Sequence, residues 1–143
     1  MNFSAKRPNE IWVSDIIQFR IKDKTYYLCA VLDLFSRKVI AYKIAAKQST
    51  QLTSATLKMA YIDREPNKEL IVHTDQGGQY TSDRFQQLLK SLDISQSFSP
   101  KGRPTHNSVI ETFYSSLRQE ETHRYEYHSE NEFKQRIENT SLL

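Results

Sequence analysis

Three acidic residues stand out by where they fall: Asp15, Asp75 and Glu111. Asp15 lies inside Ile11-Trp12-Val13-Ser14-Asp15-Ile16-Ile17-Gln18-Phe19, where period two puts it on one face with Ile11, Val13, Ile17 and Phe19. Asp75 follows the short apolar run Leu70-Ile71-Val72 and precedes the pair Gly77-Gly78. Glu111 falls in the first turn of a helical pattern behind the breaker-rich loop Ser99-Pro100-Lys101-Gly102-Arg103-Pro104-Thr105. If the first and fourth strands are neighbours, both aspartates can face one point, and the helix delivers Glu111 beside them. Three carboxylates without His or Cys form a hard oxygen site suited to Mg²⁺ or Mn²⁺. Such carboxylates repel one another unless a cation neutralises them. Two ions about 3.5–4 Å apart would activate an attacking oxygen and stabilise a leaving one, the chemistry of in-line phosphodiester displacement.

Each residue also has a plainer reading. Asp15 could point to solvent at a sheet edge, although its apolar neighbours speak against that. Asp75 could simply start a turn, since Asp-x-Gly-Gly is ordinary turn chemistry. Ser108-Val109-Ile110-Glu111 reads as a capping box, which alone would account for Glu111. His73 could orient Asp75, contact DNA, or be a packed strand histidine.

The elements that must position these residues follow from periodicity. Ile11–Phe19, Thr25–Leu34 and Lys38–Ala45 read as strands joined by the turns Lys22-Asp23-Lys24 and Ser36-Arg37, an antiparallel meander. Asp33 and Arg37 are expected to pair at the second hairpin. Thr50 is expected to cap a helix whose stripe is Leu52, Ala55, Thr56, Met59 and Ala60. Leu70–Thr74 reads as a fourth strand, parallel to a strand of the meander because a helix precedes it. Ser82 caps a second helix with the stripe Phe85, Leu88, Leu89 and Leu92. Ile94–Phe98 reads as a fifth strand. A third helix is expected over Ser108–Glu121, with Ile110, Phe113, Tyr114 and Leu117 as its stripe. Ser129 with Glu132 suggests a last short helix. The order β-β-β-α-β-α-β-α predicts an α/β fold, a five-stranded mixed sheet with three antiparallel strands followed by β-α-β units, flanked by helices.

The totals bound the class. A chain of 143 residues is one domain with room for a real core. Its single cysteine, Cys29, cannot pair within the chain and reads as a small buried residue in a reduced, intracellular setting. No apolar run is as long as a membrane span, and the N-terminus lacks the apolar core of a signal peptide. A formal net charge of +3 says little about nucleic acid by itself. Basic residues crowd the first half of the chain, however, while the stretch from Glu120 leans acidic.

From Trp12 to Glu120 the sequence resembles the catalytic core of bacterial insertion-sequence transposases of the DDE type, in the retroviral-integrase superfamily. The resemblance rests on Trp12-Val13-Ser14-Asp15, on Tyr27-Leu28 with Asp33-Leu34-Phe35-Ser36-Arg37, and on HTDQGGQYTSDRF (73–85). It continues through Gln96-Ser97-Phe98-Ser99-Pro100-Lys101-Gly102 and NSVIETFYSSLRQE (107–120). Between Asp75 and Glu111 lie 35 residues, the spacing that names the family's D,D-35-E triad.

The resemblance implies an RNase H-like fold, with Asp15, Asp75 and Glu111 as the catalytic triad binding two Mg²⁺ or Mn²⁺ ions. It implies cleavage of 3′ ends by water, then strand transfer by the exposed hydroxyl, without a covalent enzyme intermediate. DNA, as transposon ends and target, is the expected partner of a cytoplasmic, DNA-associated homo-oligomer, a dimer or larger. Lys101, Arg103, Asn107 and Arg118 are the expected DNA contacts, with His73, Gly77 and Gly78 in support. Arg118 shares a helical face with Glu111 and Ser115 and stands where the family usually has Lys. His106-Asn107 stands where the family commonly has Asp-Asn. The expected organisation is a tail or linker over 1–9, a catalytic core over 10–122 and a truncated helical segment over 123–143, without the family's end-reading helix-turn-helix region. The alternatives are a catalytically inactive DNA-binding or assembly remnant and an RNase H-like nuclease acting on another substrate.

Overall fold

A computed structural model describes residues 4–66 and 69–98, together with positions 111, 112, 115, 131, 132 and 135, which are all helical. Three strands open the fold: β1 (Ile11–Ile21), β2 (Lys24–Asp33) and β3 (Lys38–Ala45). Helix α1 (Thr50–Arg64) leads to β4 (Leu70–Thr74). The short α2 (Gly78–Thr81) and α3 (Asp83–Ser91) then lead to β5 (Ile94–Phe98). The sheet order is β3-β2-β1-β4-β5. β1 pairs antiparallel with β2, and β2 with β3, whereas β4 lies parallel to both β1 and β5. The expected five-stranded mixed sheet is therefore the observed one.

The turn between β1 and β2 is tighter than the sequence suggested. Lys22 and Asp23 both have positive φ (47° and 69°), and Lys24 already pairs with Ile21. A two-residue loop of that handedness matches the right-handed twist of its strands, so β1 runs two residues beyond Phe19.

Each sheet face buries its own apolar set. Ile11, Val13, Ile17, Phe19 and Ile21 of β1 join Leu28, Ala30 and Leu32 of β2 on one face. On the other, Trp12, Val31, Val72 and Ile94 pack against Leu57 and Ala60 of α1 and against Phe85 and Leu89 of α3. Alternation puts Asp15 on the first face, opposite α1 and α3.

Three expectations about local structure are corrected. Ser49, not Thr50, caps α1: its hydroxyl accepts the Leu52 N–H at 3.2 Å. The buried residues of α1 are Leu52, Thr53, Ser54, Thr56, Leu57 and Ala60, while Met59 is exposed. Two threonines can go inside because their hydroxyls are satisfied there. Thr53 Oγ1 donates to the Thr50 and Gln79 carbonyls (3.0 and 2.8 Å) and Thr56 Oγ1 to that of Leu52 (2.7 Å). Third, the fully buried Asp33 carboxylate accepts the Asn9 and Phe35 N–H groups and lies 3.9 Å from the Arg64 guanidinium. Arg37 meets Asp33 only through the backbone, its N–H donating to the Asp33 carbonyl at 2.7 Å from a positive φ of 62°. Ser82 caps α3 as expected, accepting the Phe85 N–H at 3.3 Å.

The two readings of the α1 stripe differ in stability. Leu57→Ala should cost about 2–5 kcal/mol, whereas Met59→Ala should stay within about 0.5 kcal/mol. Urea denaturation of both variants distinguishes them, and equal costs would mean that α1 packs on the other face.

Candidate carboxylate site

The central pairing sets the geometry. The parallel ladder of β1 and β4 matches Ile11 with Ile71, Trp12 with Val72 and Val13 with His73. Continued by two residues, the same register brings Asp15 beside Asp75. Asp15 accepts the N–H of Ile16 on Oδ1 at 2.8 Å and hydrogen-bonds the side chain of Glu111. The sheet and the helical segment carrying Glu111 thus place Asp15 within reach of the charges of both Asp75 and Glu111.

Their electrostatics follow from that placement. Asp15 keeps some solvent contact as a residue, but its carboxyl group is largely enclosed. That burial pushes its pKa up to about 7, against a pull downward from the Ile16 N–H. The charges of Asp75 and Glu111 and the hydrogen bond to Glu111 push it further up. A hydrogen bond between two carboxyl groups requires one proton on the pair. Among the described residues, no group of three His, Cys, Asp or Glu side chains stands in a preassembled arrangement for an ion. The three acids therefore share a field without forming a ready chelate.

The donor set nevertheless fits a hard divalent cation. It is all oxygen, it carries excess negative charge, and a proton partly offsets that charge in Asp15. Asp75 uses Oδ1 to accept the Gly77 N–H at 2.7 Å, and no other described group donates to its carboxylate. The turn reading of Asp75 is thus correct, and it leaves Oδ2 available.

The turn is tightly packed at Gly77. A Cβ there would meet Asp75 Oδ1 at 3.0 Å and Gln79 Oε1 at 2.8 Å. A Cβ on Gly78 would meet nothing within 4 Å among the described residues. His73 is buried and its Nδ1 bonds Ser97 Oγ at 2.7 Å, which ties β4 to β5. Ser115 is exposed on the Glu111 helical segment. Lys101, Arg103, His106, Asn107 and Arg118 lie outside the described residues, as do Ser108 of the expected capping box and Ser129.

Residues that the sequence did not single out fix the loop from Asp75 to Tyr80. Ser14 Oγ bonds the buried Tyr80 hydroxyl at 2.9 Å, and the Tyr80 ring meets Phe85 edge-on at 5.3 Å. Cys29 lies 3.7 Å from both Ser14 Oγ and Tyr80 Oη, and burial raises its thiol pKa, so it is an inert packing residue. Thr53 holds the Gln79 carbonyl, and Gln86 and Gln96 hold that of Tyr80. The available signal was polar side chains within otherwise apolar stretches.

Comparison with known proteins agrees with this architecture. The profile described as Integrase core domain matches residues 5–104. The chain belongs to that family. It is 37% identical over 118 residues to the transposase for insertion sequence element IS904 of Lactococcus lactis subsp. lactis (strain IL1403), covering 82% of this chain and 47% of that protein. It is 38% identical over 122 residues to transposase InsF for insertion sequence IS3A of Escherichia coli (strain K12), covering 85% and 42%. The chain thus spans less than half the length of these curated relatives. Among solved structures, a chain of the simian T-cell lymphotropic virus intasome in complex with PP2A regulatory subunit B56 gamma aligns with a TM-score of 0.75 at 22% identity, covering 94% of this chain and 49% of that one. The HTLV-2 integrase catalytic core domain in complex with magnesium aligns at 0.67 and 22%, covering 91% and 83%. These likenesses establish the RNase H-like fold. Among the described residues no helix of this integrase-family chain is long and apolar enough to cross a membrane.

The protonation of Asp15 predicts a pH dependence. In the folded state its pKa is raised from 3.8 to about 7, so across that window the folded chain holds a proton that the unfolded chain has released. Stability is greatest below the lower value and falls as pH rises through the upper one. Thermal melts in EDTA should give a smaller gap between pH 5 and pH 8 for Asp15→Asn than for the wild type. Equal gaps would show that Asp15 is not enclosed by its neighbours.

Proposed function

We propose that residues 10–122 form the catalytic core of a DNA transposase, cutting DNA at 3′ ends and joining the exposed hydroxyl to a second phosphodiester. The observation that carries the reading is that Asp15 feels the charges of both Asp75 and Glu111 and hydrogen-bonds the latter, its pKa pushed up to about 7 chiefly by burial. Relatives named as transposases support it, over the part of their length that this chain spans.

In this reading the three carboxylates hold Mg²⁺ or Mn²⁺, two ions per site. When bound there, the ions supply activation of the attacking oxygen and neutralisation of charge on the leaving one. The chain's own residues do the rest. Asp15 would hold the cation as its carboxylate, so uptake would be weaker at low pH. Asp75 presents Oδ2 while the Gly77 N–H holds Oδ1 in place. Glu111 approaches from a helical segment outside the sheet and completes the set. With no described group within 4 Å of a Cβ at Gly78, a DNA backbone can come close to the main chain beside Asp75. No Ser, Cys or Tyr nucleophile is required. Positioning and charge stabilisation carry the rate.

Lys101, Arg103, Asn107 and Arg118 are assigned to the DNA, largely its phosphates, which makes binding salt-sensitive. Work on paired ends calls for a homo-oligomer, a dimer or larger, in a cytoplasmic, DNA-associated setting.

The test is nicking of supercoiled plasmid DNA with Mg²⁺ or Mn²⁺, alongside calorimetric titration of Mn²⁺ into the free protein. Asp15→Asn, Asp75→Asn and Glu111→Gln should each lower cleavage by at least about a hundredfold while leaving DNA binding near wild type. Undiminished cleavage by Asp75→Asn would remove the triad assignment. Retained DNA binding without Mn²⁺ uptake would point to an assembly module instead.

A further inference from the structure

The chain leaves the sheet at Thr74 and turns through Asp75, Gln76 and Gly77 into α2. Nothing in β4 itself fixes Asp75, because the ladder to β5 ends at Thr74 opposite Phe98. A hydrogen-bonded relay does so from the other side of the sheet. Gln96 on β5 stands opposite Val72 and shares its face, the one covered by α3. Its Nε2 donates to Thr74 Oγ1 at 2.9 Å and to the Tyr80 carbonyl at 3.1 Å. The hydroxyl of Thr74, a fully buried residue, in turn donates to the Asp75 carbonyl at 2.8 Å. Gln86 of α3 orients the relay: its Nε2 donates to Gln96 Oε1 at 2.7 Å and to the Tyr80 carbonyl at 2.9 Å. Both N–H groups of each amide are used, which fixes which way each amide faces.

One amide thus bridges the start and the end of the loop that carries Asp75. Resting on the assignment of Asp75 as a cation ligand, we propose that Gln96 is a positioning residue: acting through Thr74, it sets the Asp75 backbone and the carboxylate held by Gly77. The relay reaches Asp75 from behind and needs no contact with cation or DNA. Its contribution is to keep one carboxylate still where small displacements cost rate.

The consequence is a coupling between Gln96, Thr74 and the Gly77 amide that a general packing role would not produce. Gln96→Leu keeps the size and removes both donors. Thr74→Val keeps the β-branched shape and removes the hydroxyl. In each variant the Gly77 amide, donor to Asp75 Oδ1, should exchange with solvent about tenfold faster, as loss of one hydrogen bond predicts. The double variant should be no worse than either single one, since both cut the same relay. In plasmid nicking, kcat should fall with little change in KM for DNA. A Gly77 amide as protected in both single variants as in the wild type would overturn the proposal, as would additive effects in the double variant. Should Gln96→Leu fail to fold, Thr74→Val decides by the same readout. Wild-type protein that neither binds Mn²⁺ nor nicks DNA would defeat the transposase reading, while Gly77 exchange would still report whether Gln96 holds Asp75.

Discussion

A carboxylate inside β1 and another just past the end of its parallel neighbour β4 repel one another unless something positive stands between them. Neighbouring strands lie roughly 4.8 Å apart, and the pairing of Val13 with His73 points Asp15 and Asp75 at one another two residues later. Glu111 adds a third negative group to the same place. The fold has two ways to live with that charge. It can keep a proton on Asp15, as burial and the neighbouring acids favour, or exchange that proton for a divalent cation. The strand order favours this: β1 and β4 are neighbours, and the register that pairs them carries Asp15 and Asp75 to matching positions.

Such a repulsive arrangement persists only if the scaffold around it is firm. The firmness comes from the other face. Trp12, Val72, Tyr80 and Phe85 are all but fully buried there, and α1 and α3 cover them. Around that apolar core runs a ring of satisfied polar contacts, Ser14 to Tyr80, Thr53 to Gln79 and Gln86 to Gln96. Buried hydroxyls and amides are stabilising only when fully bonded. Here their partners lie almost wholly in the loop between Asp75 and Tyr80. The energy of packing on the α1 and α3 face is thereby used to hold a charged loop at the end of β4.

Strands, helices and sheet type were legible because apolar alternation in β1 and β4 and helical periodicity in α3 are strong signals. The three acids were legible by position against apolar neighbours. What escaped were features set by hydrogen bonds between distant parts of the chain. Thr53 faces inward because of acceptors in α1 and in the loop at Gln79, and Leu57 is buried with it, whereas periodicity put Ala55 and Met59 on the stripe beside Thr56. Asp33 was matched to Arg37 because they are close in sequence, but its carboxylate faces Asn9 and Arg64, which only the folded chain brings near. Gln96 was visible as part of a family motif, while its reach to Thr74 and Tyr80 depends on strand order.

The turn and ligand readings of Asp75 looked like alternatives in the sequence because a residue was being given a single role. A carboxylate has two oxygens. In the fold, Oδ1 closes the turn on the Gly77 N–H, and that bond does not engage Oδ2. The turn is therefore the device that orients the acid. The absence of a Cβ on Gly77 is part of the same device, since an added methyl would press on Oδ1 itself. The pattern Asp-x-Gly is common in turns for one reason and useful beside a cation for another, and at Asp75 the first reason serves the second.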